Sequence, residues 1–301
     1  MRSSIQLTPL LIATGLICTP IWAEDPFASQ LVSFEPGNGG VPGFDNPEVT
    51  LGPPTRTSGG FLFPGVVSPF QPAYMNTEIV SLGEGAELVL AFDHDVRNDP
   101  GNPFGIDLIV FGNSFCTDLS PPNGVFGSLY EEGGEIDVSL NGQDWITLKG
   151  LSADGAMPTL GWQDAGPYDA MPGAIPTDFT QPLDPNIHES SLQGLSYIEL
   201  IDAYNGSGGG LGIDLDAYGI EAIRFIRFRN SSNLQSPEID AVADVPSAAL
   251  PGDLDNDGAI RGTDIGLLLA AWASSNPAAD LNGNGIVDGP DMGLLLAGWT
   301  P

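Results

Sequence analysis

Two stretches near the end of the chain, GDLDNDGAIRGTDIGLLLAAW (252–272) and ADLNGNGIVDGPDMGLLLAGW (279–299), are copies of one pattern. Aligned from Asp253 and from Asp280, eleven of twenty positions are identical, which marks an internal repeat. In the first copy Asp253, Asp255 and Asp257 take positions 1, 3 and 5 of an acidic loop. Gly258 follows at 6, Ala259 at 7 and Asp264 at 12. In the second, Asp280, Asn282 and Asn284 take the first three places, followed by Gly285 at 6, Ile286 at 7, Asp288 at 9 and Asp291 at 12. Like charge packed this closely needs a countercharge. The spacing is that of a calcium loop, in which alternate residues converge on one hard cation that takes about six to eight oxygens. Glycine at the sixth position permits the sharp turn, and the seventh contributes its backbone carbonyl. The repeat therefore predicts two calcium ions. One is held by Asp253, Asp255, Asp257, Ala259 and Asp264, the other by Asp280, Asn282, Asn284, Ile286, Asp288 and Asp291. The closing residue is Asp where such loops usually carry Glu, so the start of the next helix must carry the shorter side chain inward.

Behind each loop the apolar residues fall at i, i+3, i+4 and i+7: Ile265, Leu268, Leu269 and Trp272, then Met292, Leu295, Leu296 and Trp299. That is a helical stripe. One loop-helix unit is too small to bury its own stripe, so the two are expected to pack face to face.

On these residues, 252–301 resembles a type I dockerin, the duplicated calcium-loop-and-helix module of extracellular bacterial proteins that plugs into cohesin modules. The resemblance implies a small all-α domain, two calcium ions and a cohesin-like partner. It also implies that loop positions 10 and 11 and their neighbours choose that partner: Arg261, Gly262 and Thr263 in one copy, Asp288, Gly289 and Pro290 in the other. Cellulosomal dockerins carry polar pairs at positions 10 and 11. Gly262-Thr263 and Gly289-Pro290 depart from that pattern.

The other end of the chain reads as a secretory leader. Arg2 precedes an apolar run from Ile5 to Ile21, and Ala23 closes a small-residue cleavage site ahead of Glu24-Asp25. The run is broken by Thr8, Pro9, Thr14 and Pro20, so it suits cleavage over residues 1–23 better than a membrane anchor. The expected location is secreted or cell-surface, with no membrane insertion after cleavage. The chain carries 8 Lys+Arg against 39 Asp+Glu. Such a surface repels nucleic acid and anionic lipid and attracts divalent cations. Of the two cysteines, Cys18 lies in the leader, so Cys116 has no intrachain partner.

Residues 24–246 are rich in glycine and proline, with short β-prone runs between turns: EIVSLG from Glu78, AELVLAF from Ala86, GIDLIVFG from Gly105, GEIDVSL from Gly134 and WITLKG from Trp145. YIELID from Tyr197, AIRFIRF from Ala222 and EIDAVADV from Glu238 continue the series, and Asn141-Gly142 is a hairpin turn signal. The fold class predicted is mainly β, a β-sandwich or jelly roll, joined through a linker over 247–251 to the all-α tail. Residues 151–188 follow neither period and read as a long irregular insertion. In AIRFIRFR the apolar parity changes, which a bulge at Phe225-Ile226 would repair while leaving Arg224, Arg227 and Arg229 outside to pair with carboxylates. Three acidic pairs at i, i+2 stand out: Asp93/Asp95, Asp214/Asp216 and Glu238/Asp240. On a strand each pair offers either an edge for a further calcium ion in the sandwich or a solvated acidic face.

The blocks from Val80 to Phe115, with IDVSLNGQDWITL and DLDAYGI…RFIRFRN…PEIDAVADV, are similar to a family of exported bacterial cell-surface β-sandwich proteins. Their β-domains resemble galactose-binding-like jelly rolls. That family implies no settled activity.

No GxSxG or HExxH motif occurs, and His94 and His188 stand in unrelated contexts. Trp145 is expected in the core. Trp162 and Tyr168, and beside them Tyr204, are candidate platforms for a polysaccharide. Two function classes remain. One is a non-catalytic, calcium-dependent β-sandwich displayed through a dockerin tail. The other is a glycoside hydrolase with such a tail, which would need two carboxylates at fixed separation that the sequence cannot nominate.

Overall fold

The computed structural model describes residues 25–155, 157–246, 251–254 and 260–299. The expected leader, 1–23, and most of the expected linker lie outside these residues. Among the described residues, thirteen strands and four α-helices follow in chain order: β1 (Gln30–Glu35), β2 (Thr57–Ser58), β3 (Gly65–Val66), β4 (Val80–Ser81), β5 (Ala86–Arg97), β6 (Leu108–Gly112), β7 (Phe115–Asp118) and β8 (Phe126–Tyr130). Then come β9 (Glu135–Ser139), β10 (Ile146–Thr147), α1 (Glu189–Leu192), α2 (Tyr197–Tyr204), β11 (Leu211–Ile213), β12 (Ala222–Asn230), β13 (Glu238–Asp244), α3 (Gly262–Ala270) and α4 (Gly289–Ala297).

The protein is mainly β. An antiparallel sheet of order β1-β5-β12-β9-β10 faces a second of order β11-β6-β13-β4, and the two share one core. Leu88, Leu90, Phe92, Ile136, Val138, Ile226 and Phe228 enter it from the first sheet, and Leu108, Val110, Ile239 and Val242 from the second. Alternation decides which side chains these are, because a strand sends successive residues to opposite faces. In β6 both faces are apolar for a reason. Leu108 and Val110 join the inter-sheet core, whereas Ile109 and Phe111 turn outward under Phe179.

Phe179 belongs to the segment 151–188, in which no described residue lies in a helix or strand, as the lack of period predicted. It is a packed cover all the same. Isolated bridges tie it to the body, among them Gly133 to Asp154 and Met157 to Gly210. YIELID, expected as a strand, is instead the helix α2. Ser196 caps it, with Glu199 Oε2 accepting from the Ser196 N–H at 2.9 Å. Tyr197, Leu200 and Tyr204 face one way into a satellite core with Phe126 and Cys116. Three- and four-residue spacing outweighed the β-prone composition of so short a run.

The irregularity in β12 falls between Ile223 and Phe225, ahead of the expected place, and the additional residues lie on β5, where Val96 and Ala91 are the successive partners. Phe225 is therefore left half-buried, while Ile223, Ile226 and Phe228 reach the core. The three arginines do pair with carboxylates. Arg224 meets Asp95 at 2.7 Å, Arg227 meets Asp137 at 2.9 Å, and Arg229 meets Asp137 and Glu135. Asp137 is only 1% exposed. Burial pushes its pKa up, but hydrogen bonds from Arg229, Thr147 and Arg227 outweigh that and hold it below the usual carboxylate range.

Removing one member of such a buried cluster strands the charges left behind. Asp137→Ala should lower stability by about 3 kcal/mol in chemical denaturation. Because the folded pKa is depressed, this contribution is present above about pH 4, the unfolded value, and fades as pH falls through the folded one. A mutant as stable as the wild type at pH 7 would remove the arginine pair from the account of the sheet.

Candidate functional site

In the tail, positions 255–259, and with them Asp255, Asp257 and Ala259, lie outside the described residues. The rest of the repeat can be followed. Asp264 and Asp291, the closing carboxylates, are both fully buried. Asp264 Oδ1 accepts from the Leu254 N–H and Oδ2 from the Arg261 N–H, each at 2.7 Å. Asp291 Oδ1 accepts from the Asn282 N–H at 3.1 Å and Oδ2 from the Asp288 N–H at 2.8 Å. In both copies the closing side chain thus ties the entry of the loop to the start of its helix. The Asp288 N–H, ahead of other backbone donors, holds the Asp291 pKa below the usual carboxylate range.

The second loop folds its polar side chains onto its own backbone. Asp280 Oδ1 and Asn282 Oδ1 both accept from the Asn284 N–H, at 3.0 and 2.9 Å, and Asp280 Oδ2 accepts from the Gly285 N–H at 2.6 Å. Asn284 Oδ1 accepts from the Ile286 N–H at 2.9 Å, and Gly285 takes a left-handed φ of 94° that glycine adopts freely. Asp288 Oδ1 is buried and has no hydrogen-bond partner. An orphaned carboxylate oxygen costs on the order of 1–3 kcal/mol unless something else meets it. In a loop already lined by aspartate and asparagine oxygens, that donor set fits a hard cation.

Only half of each expected stripe is buried. Leu268 and Leu295 close a small core with Ile260, Ala279 and Val287, and Ile265 and Met292 pack against it. Leu269, Trp272, Leu296 and Trp299 stay 45–53% exposed, contrary to the face-to-face expectation. The Ala273 N–H to Val287 O and Val287 N–H to Ser274 O bonds, each 2.9 Å, tie the end of α3 to the second loop. Of the six residues expected to select a partner, Arg261, Gly262, Thr263, Gly289 and Pro290 are exposed. Asp288 is half-buried with one oxygen turned in.

The acidic pairs of the sandwich behave differently from one another. Asp95 pairs with Arg224, while Asp93 bonds His94 Nδ1 at 2.7 Å. Asp214 lies past the end of β11 and accepts from the Asp216 N–H at 2.8 Å, a turn contact and no strand edge. Glu238 and Asp240 are both buried but go to different partners. Asp240 accepts from Thr55 N–H at 2.9 Å and Thr55 Oγ1 at 3.1 Å, with its pKa pushed up to about 7 by burial. Glu238 instead meets Glu132 and Asp154. One oxygen from each of these three lies within 4.8 Å of the others. Neither Glu132 nor Asp154 carried a sequence signal, because the contact joins a strand end, a hairpin end and an irregular segment.

No family model matches the chain, and no curated protein matches it.

Candidates for catalysis are otherwise occupied. His94 is buried with Nδ1 on Asp93 and Nε2 on Asp244 at 2.9 Å, joining β5 to β13. A cavity of about 220 Å³ is lined by Trp145, Asn141, Ile146 and Ile220 and holds one carboxylate, Asp144, where glycoside hydrolysis needs two. Trp145, expected in the core, is half-buried at its rim, with the Arg227 guanidinium 4.3 Å over the ring. Tyr204 is fully buried and donates to Pro158 O at 2.8 Å, so it is no platform. Trp162 is half-buried and donates to Arg56 O at 3.2 Å. Tyr168 is 38% exposed and donates to Asp118 Oδ2 at 3.1 Å.

Burial pushes the Cys116 thiol up to about 12, with Glu189 adding to the shift. The thiolate is the nucleophile, so little forms at neutral pH. Iodoacetamide at pH 8 should leave Cys116 unmodified in the native protein and alkylate it fully in denaturant, as read by mass spectrometry. Rapid native labelling would restore it as a candidate nucleophile.

Proposed function

We propose that this chain is an exported calcium-binding protein whose residues 252–301 act as a dockerin, docking onto a cohesin-like partner and displaying a non-catalytic β-sandwich. The observation that carries the reading is the second loop. Asp280, Asn282 and Asn284 gather oxygens on the loop's own N–H groups, and Asp288 leaves a buried oxygen without a partner. Calcium there would be held by Asp280, Asn282, Asn284, the Ile286 carbonyl, Asp288 and Asp291. By the repeat, the first ion falls to Asp253, Asp255, Asp257, the Ala259 carbonyl and Asp264. The ion supplies the positive charge that lets these carboxylates lie together and fixes the start of each helix.

The half-exposed stripes support docking. Leu269 with Trp272 and Leu296 with Trp299 put equivalent apolar pairs on the two copies, and tryptophans of this kind anchor interfaces. Arg261 in one copy stands where Asp288 stands in the other, so the two faces differ in charge and a partner should prefer one. The sandwich then serves as cargo, with Trp162 and Tyr168 as its polysaccharide-facing aromatics.

Two measurements test this. Calorimetry of the mature protein in calcium should give separate transitions for sandwich and tail, with the tail transition lost in EDTA. A single transition that ignores chelator would reject calcium-dependent folding of the tail. Pull-down with the mature chain from the exported proteins of its source should capture a partner in calcium and lose it in EDTA. Arg261→Asp and Asp288→Arg should change capture unequally. Equal effects would reject the preferred face, and capture that survives EDTA would reject the dockerin reading.

A further inference from the structure

At one end of the second sheet β6 stops at Gly112 and β13 begins at Glu238, and the two strands pair there. Asn113 leaves β6 at that point. Glu132 follows the end of β8, and the irregular segment brings in Asp154. Asp154 is fastened in place, since its carbonyl accepts from the Glu132 N–H at 2.9 Å and its own N–H donates to Gly133 O at 2.7 Å. Three carboxylates thus meet where none of the ion pairs among the described residues supplies a lysine or arginine. Glu238 is 4% and Asp154 1% exposed.

Clustered acids alone would not make a site, and a separate observation points to a ligand. Asp154 Oδ1 is buried and has no hydrogen-bond partner, although Oδ2 of the same group accepts from the Glu238 N–H at 3.3 Å. The amide of Asn113 meets the other oxygens of the group, its N–H2 donating to Glu238 Oε2 and to Asp154 Oδ2 at 3.2 Å each, and leaves Asp154 Oδ1 unmet. The backbone also leaves room, because a Cβ on Gly112 would stand 2.6 Å from Asp154 Oδ1.

We propose that Glu132, Asp154 and Glu238 form a calcium site inside the sandwich, independent of the tail. Two oxygens bound to one calcium at about 2.4 Å can be at most about 4.8 Å apart, and the three carboxylate oxygens meet that limit. Calcium suits an irregular set supplied by the protein, whereas magnesium demands a near-octahedral shell and keeps several waters. Glu132, half-buried, is the rim through which the ion enters. The ion would clamp the end of β6, the start of β13, the β8 end and the insertion to one another. Burial, followed by Glu132, drives the Glu238 pKa up to about 10, and burial lifts Asp154 to about 7.

The test is an ion count on the full mature chain, stripped with chelator and dialysed against calcium at pH 8. The variant Asp154→Asn/Glu238→Gln is expected to bind one calcium fewer per chain than the wild type. The same decrement should appear in an Asp280→Ala background, so the result does not depend on the tail. Glu132→Gln, a conservative change at a half-exposed position, guards against a double variant that fails to fold. It should keep the fold and weaken binding at this site by about tenfold or more. Calcium should raise the sandwich melting transition of the wild type and not that of the double variant, with magnesium alone giving no comparable rise. Unchanged stoichiometry in the double variant, or wild-type affinity in Glu132→Gln, would overturn the site and leave a proton-sharing carboxyl cluster.

Discussion

Countercharge is the scarce quantity in this molecule. Eight lysines and arginines stand against thirty-nine carboxylates, and three of the eight lie on a single strand, β12. Arg227 and Arg229 converge on the buried Asp137 and Arg224 reaches Asp95, so the outer face of the first sheet is neutralised by its own residues. That arrangement leaves no cation for the tail's second loop or for the junction of β6 with β13 among the ion pairs described. Wherever carboxylates are then brought together, they must be met by backbone N–H groups, by protons or by metal.

The insertion 151–188 turns out to organise the sandwich. Phe179 covers Ile109 and Phe111 on the outside of the second sheet, and Asp154 reaches the junction at Glu238. A segment without helix or strand can do this because isolated bridges, such as those to Gly133 and Gly210, pair its backbone with the body. Packing against it also accounts for the two-sided apolar character of β6, which would otherwise be an exposed face.

In the tail, duplication has a geometric consequence. Two short helices of nine residues each can share only a narrow strip, and Leu268 and Leu295 with Ile260, Ala279 and Val287 fill it. The remainder of each stripe, Trp272 and Trp299 included, stays at the surface. The part of the stripe that does not stabilise the tail is thereby left exposed.

How much of this was legible beforehand depends on the range of the interaction. Loop spacing, helix starts, the outward alternation of the arginines on β12 and the mainly β character follow from neighbours a few residues apart, so the sequence alone determined them. The position of the irregularity opposite β5, the helical state of Tyr197–Tyr204 and the exposure of Trp272 and Trp299 were not legible in the same way. They depend on which surfaces the rest of the chain leaves to be covered. The meeting of Glu132, Asp154 and Glu238 lay furthest beyond reach. Only tertiary structure could decide it, because the three residues lie on unrelated elements and acquire their shared burial from the junction of two strands with an insertion that has no period to read.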